Sequence, residues 1–145
     1  MKKIISAVLA CVLIVLAAAC AVGEKVYYDE VKLPKLTKAK EPNVVVATSG
    51  AKQTKNKMLR HRMDSCVDAS DNPISATQAV RLWRQDGQSV TRVLWHHSNN
   101  SYDMGKGSST LIKDKQYKLK ARGNTDNGCT VYISGWIDPD GGENK

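Results

Sequence analysis

The chain has 145 residues, 22 of them basic and 14 acidic, for a net charge of +8, with 41% hydrophobic residues, three Trp and no Phe. That length excludes several independent cores, and the missing Phe leaves Val, Leu, Ile, Tyr and Trp to supply the apolar area. The positive charge favours anionic partners and says nothing about the fold.

The N-terminus has the three-part layout of a secretory signal peptide, 1–23. Met1-Lys2-Lys3 is a short positive start, Ile4 to Ala18 is apolar apart from Ser6, and small residues follow at once. A permanent membrane span needs roughly 20 apolar residues, and this run ends early. Leader cleavage fits Ala19-Cys20-Ala21 before Val22 or Ala21-Val22-Gly23 before Glu24, and either cut discards Cys20. The alternative is a lipoprotein cut before Cys20, with that cysteine lipidated. Against it, Leu16 stands one position too far from the cysteine for the usual Leu-Ala-Ala-Cys or Leu-Ala-Gly-Cys box. Removing Lys2 and Lys3 leaves 20 basic residues against 14 acidic ones, a net charge of +6.

Residues 24–42, "EKVYYDEVKLPKLTKAKEP", mix charges with two prolines and follow no sustained period. They predict a tether. A β-domain is expected over 43–140, followed by a short tail, 141–145. Asn43 to Thr48 is a β-branched run stopped by Ser49-Gly50, Lys57 to Cys66 is a weaker strand, and Asp71-Asn72-Pro73 marks a turn. Gln78 to Gln85 and Gln88 to His97 flank Asp86-Gly87, a pair suited to a two-residue type I′ hairpin turn. Tyr117, Leu119 and Ala121 alternate with Lys118, Lys120 and Arg122, and after "GNTDNG" Cys129, Val131 and Ile133 share one strand face. Helical periodicity is absent. Short strands at turn-punctuated intervals predict an all-β fold, a small antiparallel β-sandwich.

Four cysteines are present. Cys11 lies in the leader and Cys20 at its border, which leaves Cys66 and Cys129 in the body. In an exported domain such a pair is expected as a disulfide, worth about 4 kcal/mol in the chain-entropy model.

The hairpin turn predicts a register in which Arg81 faces Arg92 and Val80 faces Val93. One face then carries Val80, Leu82, Thr91, Val93 and Trp95 as core. The other carries Arg81, Trp83, Arg92, Leu94 and His96. Two arginines directly opposite repel unless ring stacking or an anionic ligand explains them. Arg81, Trp83, Arg92 and His96 therefore form a candidate binding face, with a solvated sheet face as the plain alternative.

Metal chemistry finds no support. Adjacent His96 and His97 point to opposite faces of a strand, His61 and Asp103 complete no set, and "DPDGGE" lacks the spaced ligands of a calcium loop. No cofactor is implied. Catalytic signatures are missing too: there is no Gly-x-Ser-x-Gly, no His-Glu-x-x-His, and "GKGSS" is not a phosphate loop. Scattered Asp and Glu residues leave a carboxylate pair open, because its separation is a property of the fold.

In "QYKLKARGNTDNGCTVYISGWIDPD", Tyr117, Leu119, Ala121, Asn124, Tyr132, Ser134, Gly135 and Trp136 carry a pattern. It resembles the ends of small secreted proteins of unknown function from Gram-positive bacteria, where a Tyr-x-Leu-x-Ala strand leads through an Asn-rich loop to a Tyr-x-x-Ser-Gly strand. The resemblance covers 25 of 145 residues and implies a secreted β-domain, with no functional residue carried over. It departs at Ile137-Asp138 and at the cysteine pair. The expectation is a non-enzymatic module, secreted or envelope-associated, binding an anionic cell-wall polymer, glycan or membrane surface. An exported protein rarely meets nucleic acid inside its own cell. The alternative is a bacteriocin-like antibacterial protein, matched in size and charge only.

Overall fold

A computed structural model describes residues 24–36, 41–54, 57–105, 111–123 and 128–142. The leader, Cys20, the Asn-rich loop and most of the tail lie outside them.

Eight strands and no helix occur among the described residues: β1 (Val26–Leu33), β2 (Val44–Thr48), β3 (Leu59–Val67), β4 (Gln78–Arg84), β5 (Leu94–His96), β6 (Asn100–Met104), β7 (Tyr117–Arg122) and β8 (Val131–Asp138). They form two four-stranded antiparallel sheets, β1-β8-β3-β6 and β2-β7-β4-β5. The inner faces share one core. Leu59, Met63, Val131, Ile133 and Ile137 come from the first sheet, and Val80, Leu82, Tyr117, Leu119 and Ala121 from the second. The expected all-β sandwich is the observed architecture.

Four departures from the sequence reading have local causes. The segment expected as a tether supplies β1, an edge strand paired with β8. Its alternation was hidden by a bulge: the register shifts between Tyr28 and Val31, so the inward positions are Val26 and Tyr28, then Val31 and Leu33. Glu30 adopts φ 48°, and the Ser134 hydroxyl accepts its N–H at 3.0 Å while donating to Asp29 at 2.6 Å.

The second departure is the hairpin. Only Gly87 has positive φ, 93°, whereas type I′ demands it at two successive residues. The loop is the three residues Gln85-Asp86-Gly87: Arg84 N–H donates to the Gln88 carbonyl at 2.8 Å, and Gly87 N–H donates to that of Arg84 at 2.9 Å. Between the Trp83–Ser89 bridge and the Val80–Leu94 pair the second limb then carries two extra residues. Val90 and Thr91 both donate to the Leu82 carbonyl there, and the Thr91 hydroxyl accepts Leu82 N–H. As a result β5 lies one residue out of the expected register. A one-residue slip exchanges the faces of a strand. Leu94 and His96 turn inward, and Trp95 turns outward.

Third, the expected disulfide is not formed, and Cys66 and Cys129 are free thiols. Cys66 projects from β3 into the core, where the Gln78 side-chain amide of the facing sheet donates to its sulfur at 3.6 Å. Cys129 lies in the coil before β8, packed against the same core. Fourth, Gly142, expected in the tail, is packed into the domain and donates to the Met58 carbonyl at 2.9 Å.

Candidate functional site

On β7, Tyr117, Leu119 and Ala121 are buried in the core, which turns Lys118, Lys120 and Arg122 to the outside. The neighbouring strands place partners beside each. Thr48, Lys118 and Trp83 lie in one row, Val45, Lys120 and Arg81 in the next, and Arg122, Ala79 and Trp95 in a third. The outer face of the β2-β7-β4-β5 sheet is therefore a small grid of cations and indole rings.

Contacts within the grid are specific. The Lys120 ammonium sits 4.5 Å from the Trp83 ring centre, and the Arg81 guanidinium carbon 5.3 Å from it. Ala79 is small and fully covered, and above it the Arg122 guanidinium stands 5.1 Å from the Trp95 ring. Arg122 is only 7% exposed. One guanidinium nitrogen donates to the Gly123 carbonyl at 3.1 Å, but Nε has no partner, and neither does the enclosed indole N–H of Trp83. Among the described residues Lys118, Lys120 and Arg122 enter no ion pair.

Of the four residues predicted as a binding face, Arg81 and Trp83 are on the grid. Arg81 is partly structural: it donates to the Thr91 carbonyl at 2.8 Å and the Ser89 hydroxyl at 3.1 Å, clamping the bulged limb, and pairs with Glu41 at 2.7 Å. Arg92 does not face it. That residue is exposed within the bulged stretch, outside any strand, and Lys120 holds the place beside Arg81. His96 is buried on the opposite face. The residues that the sequence reading missed are Lys118, Lys120, Arg122 and Trp95. The first three were visible as the wet face of their strand but had no assigned neighbour, and Trp95 was turned inward by the wrong register.

His96 belongs to a buried chain that joins the sheets. The Tyr28 hydroxyl lies 2.8 Å from Nε2 of His61, and the Nδ1 atoms of His61 and His96 are 2.7 Å apart. Tyr102 stacks on His96 with ring centres 3.8 Å apart. Burial lowers the imidazole pKa of His61 to about 3; burial, and then the charge of His61, lower that of His96 to about 2. Both are neutral at ordinary pH and sealed from substrate, so the chain is internal framework.

The remaining candidate chemistry is also tied up. Asp103 accepts two bonds from Arg60 at 2.8 and 3.2 Å. The Asp140 carboxylate accepts from the Thr54 hydroxyl at 2.6 Å, the Gln53 and Thr54 N–H groups at 2.8 and 2.9 Å, and the Lys52 ammonium at 3.0 Å. Burial pushes its pKa up, yet the Thr54 hydroxyl, these backbone donors and Lys52 hold it below the usual range. Among the described residues no three His, Cys, Asp or Glu side chains gather as a metal site.

No known family or curated protein matches this sequence. The chemistry of the grid therefore has to carry the functional argument.

Proposed function

We propose that the chain is an exported, non-enzymatic binding module of the bacterial envelope, taking an anionic polymer on the outer face of the β2-β7-β4-β5 sheet. The observation that carries this reading is Arg122, nine-tenths buried, with an unpartnered Nε and, among the described residues, no ion pair. A guanidinium taken out of water without an anion is costly, and an arriving anion removes that cost. Lys118 and Lys120 continue the outer face of the same strand, and the leader-like residues 1–23 supply the export half of the proposal.

The test is cosedimentation of the purified protein with isolated bacterial cell walls at about 50 and 200 mM salt. Adhesion is expected to fall with salt and to be lost in the Lys118→Gln, Lys120→Gln double variant, whose side chains are half-buried and outside the core. Arg62→Gln, on the outer face of the other sheet, is the matched control. Undiminished adhesion of the folded double variant overturns the proposal.

A further inference from the structure

Resting on that reading of the basic face, we infer that its ligand is a single linear polyol phosphate chain, seated along β7 with successive phosphodiesters on Lys118, Lys120 and Arg122.

Spacing is the first argument. Alternate residues on an antiparallel strand are about 6.8 Å apart, so the backbone positions of Lys118, Lys120 and Arg122 form a ladder with that rung, and their long side chains can bring one charge to each. In a glycerol-type phosphodiester six bonds separate neighbouring phosphorus atoms. An extended chain gains at most about 1.2 Å per bond, the figure a polypeptide shows over its three bonds per residue, so one repeat spans about 7 Å. One anion per cation follows without stretching either partner. A linear uronic acid polymer puts a sugar ring in each repeat and turns successive carboxylates to different sides, so it meets the ladder out of step.

Recession is the second. Lys118 and Lys120 are half-buried, Arg122 is almost wholly buried, and Lys120 is held down on the Trp83 ring. A bilayer draws on cations that project past their surroundings, and these do not. A chain one bond wide can settle between the rings. Trp83 borders the ladder at the Lys118 end, and Trp95 borders it across Ala79 at the Arg122 end. The exposed part of Trp95 is suited to the CH groups between phosphates, whereas Trp83 is covered by Lys120 and Arg81.

Donor supply is the third. The Arg122 Nε–H and the Trp83 indole N–H are both enclosed without acceptors, and a shift of the side chains over them would open them to an anion. Each repeat brings two unbridged phosphate oxygens that only accept and one hydroxyl that can donate, so its acceptors outnumber its donors, which matches a face rich in donors and poor in acceptors.

The experiment titrates the protein, at constant salt, with defined poly(glycerol phosphate) oligomers, sodium polygalacturonate, vesicles containing phosphatidylglycerol, and oligothymidylate, reading Trp fluorescence and heat. Expected is a rise in affinity from one to three glycerol phosphate units that then levels off, and a preference over polygalacturonate of roughly tenfold or more. Each of Lys118→Gln and Lys120→Gln should lower the salt slope by about 0.7. Arg122→Gln should do the same if it folds; the two lysine variants keep the test alive if it does not. Equal or tighter binding of polygalacturonate, vesicles or oligothymidylate overturns this inference and leaves the basic face standing. No binding in any arm overturns both.

Discussion

The Nδ1 atoms of His61 and His96 stand 2.7 Å apart, one from each sheet, with room for a single hydrogen between them. One ring donates and the other accepts, so the accepting ring must be uncharged, and burial keeps the donating ring uncharged as well. Tyr28 Oη, on Nε2 of His61, lengthens this bond into a chain across the first sheet. The groups facing it are Tyr102 from β6 and Gln78, opposite His96 on β4; burial, and then the nearby Asp64 charge, push the Tyr28 phenol up.

That arrangement makes the fold acid-sensitive. Burial lowers the two histidine pKa values to about 3 and about 2, against an unfolded value near 6.5. The unfolded chain takes up protons first as pH falls, so stability present above about pH 6.5 is lost progressively toward pH 3. With two sites the steepest loss is roughly 3 kcal/mol per pH unit. Urea midpoints at pH 7, 6 and 5, before carboxylates titrate, should fall steadily, and His96→Leu should roughly halve the slope. A constant midpoint from pH 7 to 5 contradicts the neutral pair.

Gly135 makes room for this chain. A Cβ there would overlap the Arg62 carbonyl oxygen and lie 2.7 Å from the Tyr28 hydroxyl. Gly135→Ala is expected to destabilise by about 3 kcal/mol, as overpacking against backbone does. Thermal unfolding measures it, and a melting point equal to that of the parent rejects the close approach. Ser134→Ala, one position away and half-exposed, should cost far less.

Lys52 is fully buried and donates to the Pro139 carbonyl at 2.6 Å and to Asp140 at 3.0 Å. Asp140→Asn leaves that ammonium with no counter-charge among the described residues and should cost about 3 to 5 kcal/mol. Lys52→Met removes the charge itself and should cost less. Denaturant titration of the two variants decides this, and the reverse order contradicts the clamp.

Burial, opposed by the Gln78 hydrogen bond, pushes the Cys66 thiol up to about 11, whereas Cys129 is only half-buried. In the reduced native protein, iodoacetamide at pH 8 should label Cys129 well before Cys66, which waits for unfolding. Peptide mass mapping over a time course gives the order. Simultaneous labelling rejects the core position of Cys66.

The β-class was legible because the inward residues of several strands alternate cleanly, as Tyr117, Leu119 and Ala121 do. What escaped was whatever interrupts alternation. At β1 the bulge near Glu30 offsets Val31 and Leu33 from Val26 and Tyr28. In β6, "NSYDM" buries only Met104 fully, because an edge strand of this sheet needs little apolar surface. At the grid, the Asp86-Gly87 pair named a turn correctly, but the two-residue length read from it was one short, and that odd residue exchanges which of Trp95 and His96 faces water. Register is set by hydrogen bonds such as Leu82 N–H to the Thr91 hydroxyl, which no hydrophobic pattern records.

Because β1 begins at Val26, the domain has almost no leash. Were Cys20 acylated, five residues, 21–25, would link the lipid to the folded sheet, a reach of at most about 18 Å. A protein so moored would hug the lipid headgroups and sample only polymer rooted there. A released one could diffuse through the full depth of the wall, so the position of a single peptide cleavage would choose between a resident of the membrane margin and a roaming one.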